Sequence, residues 1–338
     1  MLYIRTDINK IIATGHLMRC IAIADAAKEV GEDVTFILAD ESGKDYVEKK
    51  GYATIVLHTR WNHMEEELPI LKKIIKKYDI EGMLIDSYQV TELYLKELTG
   101  EIKILYIDDW AKETHPVSAV VCYLSHWKRL RHREHYLSTP LMLGLEYAPV
   151  RRVFQNLAEK EIRHEVENVL LLSGGTDYHG MLQKILDALK TRMVKRIVAI
   201  CGRYYEDTEA LIERYKDYEN IQILKSVENI EEYMKEADLA ISAGGTTLYE
   251  LCACGTPTIS YAIADNQIEN VNGFAEEGII ECAGDVRYDD VIDNIDKLVD
   301  KYCHNIELRK NLSRKMQSMV DGNGASRIIK EWKGLLKE

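Results

Sequence analysis

Proline is scarce in this 338-residue chain, with only 5 residues, and no low-complexity tract is present. Long disordered linkers are therefore not expected. Cysteine is present but unorganised. Cys20, Cys122, Cys201, Cys252, Cys254, Cys282 and Cys303 are odd in number and contain no CxxC pair, which argues against a disulfide framework and a zinc ribbon and fits reduced thiols in a cytoplasm. No apolar run is long enough to cross a bilayer. The start, Leu2 to Arg5, reads as a strand and lacks the apolar core and cleavage site of a signal peptide, so a cytosolic protein without stable membrane insertion is expected. Basic charge is also in deficit: 44 Lys and Arg stand against 56 Asp and Glu, a net charge of -12. Such a surface repels a phosphate backbone at long range, and nucleic acid is not an expected partner. The one basic stretch, Lys128 to Arg133 with Arg151 and Arg152 downstream, reads as a solvated face. Neither HExxH, nor a Walker sequence with its Lys, nor a complete GxGxxG occurs, which disfavours a zinc hydrolase, an ATPase and a dinucleotide enzyme. No cofactor and no metal are expected.

What the chain does have is 46% hydrophobic and 30% charged residues, a globular balance whose length suits two domains. Short apolar runs alternate with helical patterns: Leu2–Ile4, a helix from about His16 to Val30, Val34–Leu38, a helix near Lys44 to Lys50, and Thr54–Leu57. A helix around Glu65 to Lys77, the run Gly82–Ile85, a helix from Thr91 to Leu98 and the run Lys103–Ile107 continue the series. After an irregular region from about Trp110 to Tyr147, the rhythm restarts at Asn168–Leu172 and repeats through Arg196–Cys201, Ile221–Leu224, Leu239–Ser242 and Thr258–Tyr261. The expected class is α/β, with two doubly wound, Rossmann-like domains, 1–150 and 151–338, divided near residues 149 to 166. Open sheets of this kind bind ligands at the carboxyl ends of their strands, so the chemistry is sought in the loops there.

The first such loop ends at Gly15-His16, where a long helix begins. A glycine lets backbone approach a ligand, and the positive end of a helix favours the neutral imidazole that accepts a proton from water. Alternatively, His16 only caps the helix. Asp86-Ser87-Tyr88 follows the second buried run and offers contacts to a sugar. Asp108-Asp109-Trp110 follows the third, and one of its carboxylates is expected to anchor the turn while the other faces the site. In the second half, Ser173-Gly174-Gly175-Thr176-Asp177 and Ser242-Ala243-Gly244-Gly245-Thr246-Thr247 are two similar strand-to-helix turns. Their backbone N–H groups and hydroxyls suit phosphate oxygens. Glu250, one helical turn beyond Thr246, is placed to accept from a ribose diol. Asp265, Asn266 and Gln267 open a further helix and suit either sugar hydroxyl and acetamido groups or simple capping.

The ordered set ATGHLMRC, SGGTD, SAGGTTLYELCACGTPTI and ADNQIEN resembles the UDP-sugar hydrolase family of pseudaminic acid biosynthesis, related in fold to GT-B glycosyltransferases. The resemblance spans nearly the whole chain in order and spacing. It implies two Rossmann-like domains facing across a cleft, UDP held mainly by the C-terminal one, and a closing C-terminal helix. It also implies metal-free attack of water at the anomeric carbon of a UDP-diacetamido-trideoxyhexose, with His16 as the catalytic histidine. Gly15, Arg19, Tyr88, Asn266 and Gln267 fall on the substrate side, and Glu250 matches the ribose-binding glutamate. The chain departs from the family at Ala13, where a glycine is usual, and at Ser87 and Gln89, which flank the tyrosine in place of His and Gly. The competing readings are a GT-B glycosyltransferase of surface or spore-coat polysaccharide synthesis, and a non-catalytic nucleotide-sugar binder.

Overall fold

The computed structural model describes residues 1–9, 12, 15–192, 194–202 and 204–337; of Asn266 it describes the backbone alone. The departure noted at Ala13 and the side-chain role expected of Asn266 lie outside the described residues. The chain divides into two compact units, Met1–Arg152 with Gly322–Glu338, and Val153–Asp321.

The first unit carries seven parallel strands: β1 (Leu2–Thr6), β2 (Val34–Leu38), β3 (Ala53–Val56), β4 (Gly82–Asp86), β5 (Lys103–Ile107), β6 (Ala119–Cys122) and β7 (Leu141–Leu143), in the order β3-β2-β1-β4-β5-β6-β7. Every residue of β1 and β4 is buried, as a parallel sheet covered on both faces requires. On one face Tyr3, Ile37, Met83, Ile85 and Ile104 meet Leu71 and Ile75 of the Leu68–Tyr78 helix and Leu95 and Leu98 of the Glu92–Thr99 helix. Leu71 and Ile75 are one turn apart while the intervening lysines point outward, and Asp79 stops that helix in the left-handed conformation. Thr91 caps the next one by accepting from the Tyr94 N–H.

β6 and β7 fall inside the stretch read from sequence as irregular. β6 is a short run buried at every position, and such runs carry no alternation to mark them. The assignment of everything beyond residue 151 to the second domain is corrected at its end. Gly322–Glu338 belongs with the first unit, because the Gly324–Lys337 helix buries Ile328, Ile329 and Trp332 against it. Gly82 at the start of β4 admits this: a Cβ there would lie 2.7 Å from both Trp332 and Leu336.

The second unit has six parallel strands, β8 (Asn168–Leu172), β9 (Arg196–Cys201), β10 (Ile221–Lys225), β11 (Leu239–Ala243), β12 (Thr258–Ala262) and β13 (Glu281–Asp285), in the order β10-β9-β8-β11-β12-β13. β13, with the sequence ECAGD, has no apolar signature and was not legible in sequence.

Both sheets reverse their winding at the centre. In the first, the chain leaves β1 towards β2 and β3, then returns to place β4 on the other side of β1. In the second, β8 and β11 are the corresponding neighbours. The connections therefore diverge there and leave a crevice at the strands' carboxyl ends. Register brings Thr6 opposite Asp86 in the first sheet and Ser242 opposite Leu172 in the second.

Gly324 tests the placement of the last helix. A Cβ at this position would lie 2.3 Å from the Ala148 carbonyl oxygen and 2.5 Å from the Tyr147 carbonyl carbon, and backbone cannot swing aside. Gly324→Ala is expected to destabilise the first unit by about 1–3 kcal/mol, seen as faster amide exchange in β1 and β4 with the second unit unchanged.

Candidate functional site

The first reversal point gathers a cluster of charged and aromatic groups. His16 is the second residue of the Gly15–Glu29 helix, which follows β1, and Asp86 is the last residue of β4. β1 and β4 are in register to their ends, and His16 Nδ1 lies 2.7 Å from Asp86 Oδ1. Asp86 is 1% exposed. Burial alone would raise its carboxyl, but the Arg19 guanidinium, and after it His16, outweigh that and hold the group well below the usual carboxylate range. Asp86 is therefore an ionised, acceptor-only group. Arg19 Nη2 also lies near His16 Nδ1, at 3.1 Å, but the closer and anionic neighbour decides the tautomer: Nδ1 carries the proton and donates it to Asp86. In the neutral ring Nε2 then keeps the lone pair, the arrangement of an oriented general base.

Arg19, one turn after His16 on the same helix, was expected on the substrate side; its contacts show a different commitment. Its Nε and Nη2 fork onto both Asp86 oxygens at 2.7 and 2.5 Å. Its Nη1 donates to Asp109 Oδ2 at 2.8 Å and lies 2.9 Å from the Tyr123 hydroxyl. The guanidinium is only 7% exposed, and its donors are directed at protein, so Arg19 positions the carboxylates.

Asp108 and Asp109 divide their work as the sequence suggested. Asp108 Oδ1 accepts from the N–H groups of Trp110 and Ala111, both at 2.9 Å, and its Oδ2 accepts from the Tyr136 hydroxyl at 3.0 Å. Asp109 turns the other way, accepting from Arg19 and, at 2.8 Å, from the Tyr88 hydroxyl. Burial, and then the Asp109 charge, raise the Tyr88 hydroxyl well above the ordinary phenol range, so it is a donor at all working pH. The Tyr88 ring stands edge-on to His16, with centroids 4.3 Å apart. Ser87 holds this turn by accepting from the Gln89 N–H at 3.1 Å. A Cβ at Gly15 would meet nothing within 4 Å among the described residues.

Behind the cluster, Arg5 of β1 is fully buried and clamps the strand end. Its Nε and Nη2 meet both Glu67 oxygens at 2.8 and 2.7 Å, and Nη1 donates to Asp7 Oδ2 at 2.6 Å. The Tyr94 hydroxyl donates to Glu67 at 2.6 Å. Asp86's pairing and this clamp both escaped the sequence reading, because the partners lie 62 to 70 residues apart.

At the second unit's reversal point the two glycine turns have different structures. In the first, Gly174 adopts φ +83°, a conformation costly for other residues. Asp177 is not a ligand group but a cap: its oxygens accept from the Met181 and Leu182 N–H groups at 2.8 and 2.9 Å. Gly174, Gly175 and Thr176 are exposed, and the Ser173 hydroxyl is buried without a partner among the described residues. Gly202, at the end of β9, was missed in sequence. A Cβ there would lie 2.1 Å from the Gly174 carbonyl oxygen, so this glycine lets the two loops touch. Its signal was the same as theirs, a glycine directly after a buried strand.

In the second turn, Ser242 does not offer a free hydroxyl. It is buried in β11 and donates to the Ala243 carbonyl at 3.0 Å. Gly244 is required by packing, since a Cβ would lie 2.3 Å from Val271, and Asn270 donates to its carbonyl at 3.1 Å. Gly245, Thr246 and Thr247 remain at the surface at the start of the Thr247–Cys254 helix, which has no side-chain cap. Glu250 lies half-buried in that helix. At the Asp265–Glu276 helix the N-cap residue, Ala264, makes no side-chain cap hydrogen bond. Asp265 pairs with Arg287 at 2.7 Å, and Gln267 accepts from the Ile263 N–H at 3.3 Å.

Residues 168–330 match the glycosyltransferase family 28 C-terminal domain. Over 93% of its length the chain is 22% identical to the spore coat polysaccharide biosynthesis protein SpsG of Bacillus subtilis, covering 92% of that protein. It is 32% identical over 181 residues to the UDP-N-acetylglucosamine--N-acetylmuramyl-(pentapeptide) pyrophosphoryl-undecaprenol N-acetylglucosamine transferase of Campylobacter jejuni, a match to 50% of this chain and 49% of the transferase. A Methanocaldococcus jannaschii protein, Uncharacterized protein MJ1062, is 23% identical over 75% of this chain and 54% of its own length. The chain thus spans about half of these last two relatives. Among solved structures, MurG of Acinetobacter baumannii superposes with a TM-score of 0.73 at 13% identity, covering 98% of this chain and 99% of that one. The fold is that of the GT-B glycosyltransferases, two parallel-sheet α/β domains. The chain thus shares the GT-B fold, and in sequence it is similar to SpsG and to the Campylobacter jejuni transferase.

Removing the central carboxylate leaves Arg19 and His16 without their shared partner. Asp86→Ala is expected to lower stability near neutral pH by about 3–5 kcal/mol. Because the folded carboxyl is held below its unfolded value of about 3.9, this contribution is full above that pH and is lost as the pH falls through the folded value. Urea midpoints of wild type and variant should therefore converge in acid, and a gap that widens there would contradict the ionised Asp86.

Proposed function

We propose that the chain is a nucleotide-sugar enzyme that breaks the anomeric C–O bond of a UDP-sugar and passes the sugar to an acceptor, as in surface or spore-coat polysaccharide synthesis. The likeness to SpsG across both chains and to the MurG-type transferases supports transfer. The observation that carries the chemistry is the His16–Asp86 pair, 2.7 Å apart at the first sheet's reversal point.

In this reading Asp86 fixes the tautomer and His16 Nε2 removes the proton from the attacking O–H. A new bond forms to the anomeric carbon as the bond to UDP breaks, and UDP departs as an anion. We assign the nucleotide to the second unit, whose glycine turns and uncapped helix starts offer N–H donors to a diphosphate. Gly174, Gly175, Gly245, Thr246 and Thr247 serve the phosphates, and Glu250 serves the ribose. Asn266, Gln267 and Tyr88 are assigned to the sugar.

Hydrolysis is the second reading, favoured by the same pair. A base with a fixed tautomer acts on water as well as on an acceptor hydroxyl, and the motifs around it resemble the pseudaminic acid hydrolases. A cytosolic location accords with the absence, among the described residues, of any helix long and apolar enough to cross a membrane.

His16→Asn should lower UDP release from a UDP-N-acetylhexosamine by roughly 10²–10⁴-fold while UDP still binds. Near-normal turnover in the variant would contradict the assignment. Release by the wild type without any acceptor would select hydrolysis, and release only when an acceptor is supplied would select transfer.

A further inference from the structure

The loop after β5 has a feature that the proposed proton transfer does not use. Trp110 is 45% exposed. Single exposed aromatics are ordinary on protein surfaces, but this one is held rigidly. Asp108 accepts from its N–H and from the next one, Tyr136 donates to the same carboxyl group, and His132 Nε2 donates to the Asp108 carbonyl at 2.9 Å. Ala111, directly after it, is forced to φ +45°, a left-handed conformation that a residue with a Cβ adopts at a cost and keeps only where its surroundings over-determine it. The loop thus accepts strain to hold the indole at the surface, with the Lys112 ammonium over its ring 4.4 Å from the centroid.

What it is presented beside gives it meaning. Trp110 meets the Tyr88 ring at a centroid distance of 5.4 Å and 66° between planes, and Tyr88 in turn stands edge-on to His16. Tyr88 is itself 46% exposed. Two half-exposed aromatic rings therefore form a ledge that ends at the base. Beneath it, Asp109 is 6% exposed, and although its Oδ2 is held by Arg19 and Tyr88, its Oδ1 is buried without a partner among the described residues. A buried carboxylate oxygen without a donor is unfavourable, and a ligand O–H or N–H would satisfy it.

Aromatic faces with one convergent acceptor are the chemistry that recognises a pyranose, whose C–H face packs on a ring while its edge donates hydrogen bonds. We propose that Trp110 is a specificity-determining residue that, with Tyr88, receives the C–H face of the sugar ring of the nucleotide sugar, while Asp109 Oδ1 accepts from one of its hydroxyl or amide groups. This rests on the nucleotide-sugar reading above and adds to it the subsite for the sugar.

The test is calorimetric titration of the full chain with UDP, UDP-glucose, UDP-N-acetylglucosamine and UDP-N-acetylgalactosamine, in wild type, Trp110→Ala and Trp110→Phe. The wild type should bind at least one UDP-hexose differently from UDP. Trp110→Ala should weaken that UDP-hexose roughly 10-fold and leave UDP within about 2-fold, and Trp110→Phe should recover most of the loss. Unchanged UDP-hexose affinity in Trp110→Ala overturns the subsite, as does a wild type that binds UDP but treats every UDP-hexose alike. A wild type that binds none of the ligands overturns instead the nucleotide-sugar reading beneath it.

Discussion

The first unit's site depends on one buried anion. Asp86 sits at the end of a strand with no exposed position, where an unpaired carboxylate would be intolerable. It is retained because Arg19 forks onto both of its oxygens and His16 donates to one. Each partner then carries the constraint outward. Arg19 fixes Asp109 and through it the Tyr88 hydroxyl, and His16 is turned so that one nitrogen is spoken for and the other is free to act. A buried pair of this kind adds little to stability compared with an apolar replacement, but removing one partner is costly. The cluster is better understood as setting geometry than as holding the fold together.

The backbone supplies that geometry through register. β1 and β4 end level with one another, Thr6 opposite Asp86, and the winding reversal there makes their connections diverge and leaves room at the strand ends. The second unit repeats the arrangement with different contents. Around β8 and β11 the groups are glycines, hydroxyls and uncapped helix starts in place of charges.

Much of this was legible in the sequence. Buried parallel strands are continuous apolar runs, and β1, β2, β4, β5 and the first five strands of the second unit read as such. The strands that escaped were β6, a four-residue apolar run inside a stretch without a clear helical pattern around it, β7, only three residues long, and β13, which is half polar. The last helix was assigned to the wrong unit because an amphipathic pattern says which face is buried but not against what. In the site, the two glycine turns were visible because each follows a strand directly, and His16 because it opens a long helix at the end of the loop after β1. Asp86 was visible only as a polar residue in a turn, and sequence position could show neither that Arg19 is engaged by a carboxylate 67 residues away nor that the Ser242 hydroxyl is turned onto the adjacent Ala243 carbonyl. Gly202 was overlooked because its need arises from a neighbouring loop.

The account's central claim is that Asp86 holds His16 as the Nδ1–H tautomer with Nε2 free as the base. Nitrogen-15 NMR of the imidazole rings in mildly alkaline buffer tests it most directly, with the His16 signals assigned by their loss in His16→Asn. The prediction is a protonated, pyrrole-type Nδ1 and an unprotonated, pyridine-type Nε2 that loses this bias when Asp86 is replaced by Asn. A proton resident on Nε2 in the wild type would contradict it.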